Sequence, residues 1–331
     1  MSVLNGSSAE VPAPATRASL SRVGLAGVEK VILIGGLGGQ PPQLFSARLD
    51  CSVDLPPDDP ATPSWDFEEA INEVVGEVIV GESAFRAEQL AQHVAERVRE
   101  LKDVLRVEVT IAARYPEYKA APVSGLLTQE IYTLYGSAVA SRHGTRRMVG
   151  VAAQGMVASP RAQQLVAERA RARLSDQGFA DEEIDRILAA VPVATHDQRG
   201  VGTLRIGCPE DCDADLEAAT LLGLVEGAMS SEIYELMKRR DEGAVVERAH
   251  RRPRSVDDCV REMVRAVTER FGHLPDDVFV SARQVNVETV HQHDVVAERH
   301  GLLGEMRREL SFGERGAPHT SMREWLDAAG P

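Results

Sequence analysis

With 331 residues, 43% of them hydrophobic and 27% charged, the chain has a globular composition and room for one large domain or two modest ones. A formal net charge of −14 excludes a general nucleic-acid binder, because only a local basic patch would offset repulsion from phosphates. No apolar run approaches the roughly 18 residues of a membrane span, and the first residues lack the basic start and apolar stretch of a signal peptide. The four cysteines, Cys51, Cys208, Cys212 and Cys259, form neither a disulfide framework nor a zinc-ribbon spacing. The expectation is a cytoplasmic protein with no membrane or nucleic-acid partner.

Residues 1–18, rich in Ser, Ala and Pro without periodicity, predict a disordered arm. Lys30–Ile34 and Leu44–Val53 read as strands around Gly35–Pro42, a glycine-rich loop that lacks the lysine of a phosphate loop and reads as a turn. Four prolines break up Leu55–Trp65. An amphipathic helix follows, with Phe67, Ala70, Ile71, Val74, Val75 and Val78 in one stripe, then a second over Ala84–Leu101. Leu105–Ala113 and Thr128–Ala140 read as strands.

That order recurs loosely. Arg147–Ala158 predicts a strand, followed by charged helices at Pro160–Ser175 and Asp181–Ala189, the second with Asp181 as its cap. A short strand at Gly202–Ile206, a helix at Ala214–Ala228 and a Ser255-capped helix at Val256–Arg270 come next. Val278–Val287 reads as the last long strand, and Ser311–Pro331 as a loosely held tail. The implied division is an arm over 1–18, a first unit over 19–144, a second unit with a helical insertion over 145–310, and a tail over 311–331.

Polar chemistry gathers in four places. Gln284–Asp294 (Q-V-N-V-E-T-V-H-Q-H-D) sets Glu288 three residues before His291, which would put a carboxylate and an imidazole on one side of a helical turn. A strand end with solvated polar residues explains the same letters. Thr195–Gly200 packs His196, Asp197, Gln198 and Arg199 ahead of a strand. Lys238–Glu242 mixes cations and carboxylates just after a helix. Arg248, His250, Arg251, Arg252 and Arg254 make a basic run that reads either as an anion-docking patch or as a solvated surface.

Together these stretches resemble the type IB GTP cyclohydrolases, including the archaeal relatives that feed methanopterin synthesis. The likeness is carried by S-R-V-G-L-A-G-V near residue 21, P-V-S-G-L-L-T-Q-E-I-Y-T-L at Pro122–Leu134 and R-R-M-V-G-V at Arg146–Val151. It continues through A-T-H-D-Q-R-G-V-G-T at Ala194–Thr203, M-S-S-E-I-Y-E-L-M-K-R at Met229–Arg239, V-D-D-C-V-R-E-M at Val256–Met263 and R-Q-V-N-V-E-T-V-H-Q-H-D at Arg283–Asp294. The resemblance implies an α+β tunnelling fold with two ββααββ units in one chain. It further implies a homo-oligomer, dimer or tetramer, with sites between subunits, and a divalent metal (iron, zinc or manganese) that activates water against the guanine imidazole ring. His196, Glu242, Glu288 and His291 match the family's metal and catalytic positions, while Asp257, Arg199, Gln198, Ser159 and Arg161 fall at positions facing substrate.

The sequence departs from the family at the site. The A-C-P-C-A-Q motif is Ala158–Gln163 here, with Ser159 and Arg161 replacing both cysteines, the first of which is a metal ligand in the family. Ala61–Asp66 lacks the family's histidine and arginine, Asp257 stands for a glutamate that pairs with the guanine edge, and Asp197 stands for an asparagine. The expectation drawn from these changes is an enzyme repurposed to another nucleotide-like or nitrogen-heterocyclic small molecule. The alternatives are a metal-dependent GTP cyclohydrolase giving a dihydroneopterin phosphate and formate, and a catalytically silent binding or scaffold homologue.

Overall fold

Alternation of apolar and polar residues builds the sheet. In β3 (Arg106–Ala120) Val107, Val109, Ile111, Ala113 and Tyr115 turn inward, and in β4 (Leu127–Ser141) the even-numbered residues from Thr128 to Leu134 do so. The computed structural model describes residues 19–35, 42–55, 69, 71–74, 76–77, 86–102, 104–209, 216–313 and 319–328. The other strands are β1 (Leu20–Ile34), β2 (Gln43–Leu55), β5 (Gly144–Ala158), β6 (Asp197–Cys208), the two-residue β7 (Ser231–Glu232), β8 (Phe279–Val287) and β9 (Val295–Leu302). All pair antiparallel in the order β1-β2-β3-β4-β5-β6-β8-β9, with β7 added to β5.

The helices are α1 (Ala87–Lys102), α2 (Pro160–Asp176), α3 (Asp181–Ala190), α4 (Ala218–Ala228), α5 (Arg239–Arg251), α6 (Val256–Arg270), α7 (Leu303–Phe312) and α8 (Met322–Asp327). α1 buries Ala87, Leu90, Ala91, Val94, Ala95 and Val98 against β3, β4 and β5, while α4 and α6 cover β5, β6, β8 and β9. One apolar core therefore runs from Ile32 in β1 to Met306 in α7. The opposite sheet face leaves Val31, Leu44, Leu127 and Ile131 exposed. α1 approaches β4 so closely that a Cβ on Gly136 would lie 2.2 Å from the Ala87 carbonyl carbon. No helix among the described residues is long and apolar enough to cross a membrane.

Several expectations change. The arm over 1–18, most of the glycine loop and most of the proline-rich segment lie outside the described residues. In the first predicted helix residues 71–74, 76 and 77 are helical, with Ile71 and Val74 buried. Asp181 is the first helical residue of α3 and not its cap; the Ala180 N–H is satisfied by Glu183 Oε2 at 3.0 Å. β6 is longer than expected because its first residues, Asp197–Gly200, pair with the end of β5. Lys238–Glu242 opens α5 and does not follow a helix. That helix was hidden because its inward side carries Asp241 and His250 beside Val245 and Ala249. β9 was hidden by edge-strand charges (Glu298, Arg299), and α7 by starting directly where β9 stops.

The tail is held down. α8 buries Trp325 to 2% exposure, with its ring stacked on Phe279 at 5.5 Å between centroids, Arg146 over its face at 4.8 Å and its Nε1 donating to Asp277 O at 2.8 Å. Trp325→Ala is expected to lose about 3–5 kcal/mol of stability, read by equilibrium urea denaturation; an unchanged midpoint would show that the tail contributes nothing to the fold.

Candidate active site

The corner where β5 gives way to α2 positions the first group. Ala158 is in register with Asp197 at the start of β6, so the chain leaving β5 runs beside the chain entering β6. Ser159 caps α2, its Oγ accepting from Ala162 N at 3.3 Å, while its own N–H donates to His196 O at 3.4 Å and its carbonyl accepts from Thr195 Oγ1 at 3.0 Å. His196 is thereby fixed by its backbone. Its Nε2 lies 3.0 Å from the amide nitrogen of buried Gln198 and 4.0 Å from Glu288 Oε2.

Glu288 arrives from the end of β8, which pairs with β6 through Arg199 and Val287. Its side chain is 8% exposed, and Oε2 accepts no hydrogen bond among the described residues. A buried carboxylate oxygen without a donor costs free energy unless something else satisfies it. Two ligands of one tetrahedral zinc, each ~2.0–2.2 Å from it, stand ~3.4 Å apart, close to the His196–Glu288 spacing. These two donors fit a divalent cation. No group of three His, Cys, Asp or Glu assembles for one among the described residues.

The other two matched residues stand apart from this pair. Glu242 is exposed on the first turn of α5, in a groove of about 670 Å³ whose opposite wall is the α3–β6 linker, Ala190 to Ala194. His250 lines the same groove. His291 is exposed, its ring stacked on His293 at 5.3 Å. The segment from Glu288 to His293 is a run of bends tied by Glu288 N to Asp294 Oδ1 (3.3 Å) and Thr289 Oγ1 to Asp197 O (3.1 Å), so the expected helical turn is absent.

The remaining residues divide similarly. Arg199 and Arg161 are exposed. Asp257, at the start of α6, accepts from Ser255 Oγ at 2.6 Å and from Arg261, which hold its carboxyl below the usual range. The Asp197 carboxylate lies 3.5 Å from His250 Nε2, but its Oδ1 accepts no hydrogen bond among the described residues and burial pushes its pKa up. The basic run is largely structural. Arg251 donates to Ala189 O and Ala190 O at the end of α3, and Arg252 and Arg254 donate to Gly227 O and Ala228 O at the end of α4.

Sequence reasoning missed a polar seam between the β3–β4 hairpin and the segment from α4 to α5. Lys119 Nζ bridges Glu226 Oε1 and Glu232 Oε2, both at 2.8 Å, while Tyr132 donates to Glu226 at 2.8 Å and Tyr234 to Glu232 at 3.0 Å. Burial alone would lower the Lys119 pKa, but the two carboxylates outweigh it and leave it raised. Glu226 is raised by burial despite Lys119, whereas Glu232 stays below the usual range against its burial because Lys119 and Tyr234 favour its charge. Part of the signal was available, since Tyr132, Glu232 and Tyr234 lie in the resemblance-bearing motifs Pro122–Leu134 and Met229–Arg239, but Lys119 and Glu226 lie outside both.

A model of the family described as Type I GTP cyclohydrolase folE2 matches residues 9–297. The chain belongs to the GTP cyclohydrolase family. It is similar to proteins named GTP cyclohydrolase MptA from Methanococcus aeolicus (37% identical, 90% of this chain and 97% of that one) and Methanospirillum hungatei (38%, 90% and 91%). The one from Methanocaldococcus jannaschii is 34% identical over 90% of this chain and 95% of its own. Among solved structures the chain is similar to uricase from Arthrobacter globiformis, with TM-score 0.53 and 9% identity over 91% of this chain and 96% of that one. That likeness shows the tunnelling fold, as the α+β architecture and its two rounds of strands and helices require.

Two variants probe this GTP cyclohydrolase scaffold. Lys119→Met leaves Glu226 and Glu232 facing each other, with an expected loss of about 3 kcal/mol at pH 8. The unrelieved carboxylates then titrate above their unfolded values, so stability is retained below the unfolded pKa and lost as pH rises; urea melts should show a smaller deficit at pH 5, and an equal one would disprove the seam's electrostatics. Glu288→Gln removes the orphaned charge, and should raise the stability of metal-stripped protein by about 1–2 kcal/mol while cancelling any zinc-induced rise in melting temperature.

Proposed function

We propose that the chain is a divalent-metal-dependent GTP cyclohydrolase: one water adds to the imidazole carbon of guanine and the ring opens to a formamide, and a second water cleaves that formamide to formate and a free amine. The observation that carries this reading is the set of relatives named GTP cyclohydrolase MptA, 34–38% identical and matched over at least 91% of their own lengths. The His196–Glu288 pair, a half-buried imidazole 4.0 Å from a carboxylate oxygen that accepts no hydrogen bond among the described residues, supports it. His196, Glu242, Glu288 and His291 are the proposed cation-holding and acid–base groups. A divalent cation held by these residues would make a nearby water easier to deprotonate near neutral pH. Glu242, exposed in its groove, is placed to take a proton from water or hand one to the opening ring. Gln198 holds the His196 ring, and Arg199, Arg161 and Asp257 are left to face substrate.

Only two of the four proposed donors meet within one chain, which supports a site completed by a second subunit of a homo-oligomer. In this reading the two units span 19–144 and 145–310 and join at the Arg142–His143 turn between β4 and β5.

A second reading, a related activity on another nucleotide-like molecule, draws on Ser159 and Asp257. The Ser159 hydroxyl serves the α2 cap and offers no thiolate, and the Asp257 carboxylate is already met by Ser255 and Arg261. Purified protein incubated with GTP and ferrous iron, manganese or zinc separates the two. Formate release with pterin fluorescence establishes the first, and zinc binding without formate leaves the second. Protein that does neither is a binding or scaffold homologue. Ser159→Cys is expected to raise zinc affinity at least tenfold by chelator competition, since thiolate is the better ligand, and to cost about 1 kcal/mol from the weakened cap. Unchanged affinity would remove Ser159 from the site.

A further inference from the structure

We infer that Asp241 is the positioning residue for Glu242, acting as a clasp between the β3–β4 turn and the first turn of α5; this rests on the proposed role of Glu242. Asp241 has no solvent exposure, and each carboxylate oxygen accepts two hydrogen bonds. Oδ1 takes Val123 N at 2.8 Å and Ser124 N at 2.7 Å, and Oδ2 takes Ser124 Oγ at 2.7 Å and Lys238 N at 2.9 Å. Only the bond to Lys238 is the local helix cap; the other three reach a turn more than a hundred residues away in the chain. An ordinary N-terminal cap would need none of them.

The clasp sets the rotation of α5. Successive helical residues are about 100° apart around the axis, so a side chain locked inward at Asp241 turns Glu242 out into the groove. The same hairpin holds the approach to α5: Glu235 N donates to Glu130 Oε1 at 2.7 Å and Leu236 N to Thr128 Oγ1 at 3.1 Å. Gly125, at φ 67°, closes the turn that presents the Val123 and Ser124 amides. Glu242 thus takes its direction from the first half of the chain, while His196 and Glu288 take theirs from the second.

A double-mutant cycle on the full-length protein tests this, with zinc affinity read by chelator competition and melting temperature followed in parallel. Asp241→Asn, which turns an amide toward donors that need an acceptor, should weaken zinc binding about 10- to 100-fold, the range for a residue that orients a ligand. Ser124→Ala removes one of the four bonds to Asp241, together with the exposed bond from Leu126 N to the same hydroxyl, and should weaken binding in the same direction by a smaller factor with little change in melting. Asp241→Asn combined with Glu242→Gln should bind no worse than Glu242→Gln alone, because the clasp works only through Glu242. Wild-type affinity in Asp241→Asn, or losses that multiply in the double variant, would overturn the inference. If the protein binds zinc but releases no formate from GTP, the GTP reading fails and the cycle still decides the clasp. If wild-type protein binds no zinc, Glu242 is not a ligand and the clasp's role falls with it.

Discussion

The lysine bridge between Glu226 and Glu232 is the contact on which the arrangement of the chain depends. It joins β3, in the first half, to the end of α4 and to β7, in the second. A buried cation between two carboxylates contributes little net stability over a well-packed apolar substitute, because desolvation offsets most of the Coulomb energy. Its value lies in geometry: two carboxylates and two tyrosine hydroxyls are satisfied together in one relative placement of the halves. Slippage by a residue would strand charges in a region where water does not replace the lost bonds. The apolar core holds the sheet and helices together, and the seam decides how the hairpin sits against the segment that leads into α5.

The positions of the candidate groups follow from that frame and from the pairing of β6 with β5 and β8. Antiparallel register brings the Ser159 corner, His196 and Glu288 to one end of three adjacent strands, although 129 positions of sequence separate Ser159 from Glu288. The helix ends near them are neutralised by arginines that looked, in the sequence, like a docking patch. Arg251, Arg252 and Arg254 each donate to carbonyls at helix C-termini, where the macrodipole favours cations. An acidic chain therefore places cations at the ends of α3 and α4, and the groove around Glu242 keeps Arg239 as its own basic wall.

What was legible in the sequence was whatever repeats at the period of its element. The stripe of α6, with Val260, Met263, Val264 and Val267, and the alternation over Val107–Ala113 of β3 are visible because the same face is apolar throughout. α5 was not, since polar Asp241 and His250 occupy its buried side for reasons set by partners far away in the chain. The E-x-x-H spacing suggested a helical turn that is absent, because Glu288 follows directly on a paired strand and His291 lies beyond it in a bent loop. Glu242 was a candidate site group through resemblance alone; the carboxylate one position before it, inferred above to aim it, had no local signature beyond the helix start.

The least explained feature of an isolated subunit is also the most informative. The Glu288 side chain is only 8% exposed, one of its oxygens accepts no hydrogen bond among the described residues, and the imidazole that faces it is too far for one. Such a group costs about 1–3 kcal/mol by itself, which a fold removes cheaply by substituting glutamine or turning the side chain to water. Here the opposite has been kept: strand pairing carries the carboxylate inward, and Ser159 and Thr195 brace the backbone of the histidine opposite. In the proposed site, a cation lying between the two members would satisfy the pair. On the proposed reading, a serine in place of a thiolate at position 159 would weaken the cation's hold but leave the cost of its absence in place, which is a physical argument for a working site at this corner.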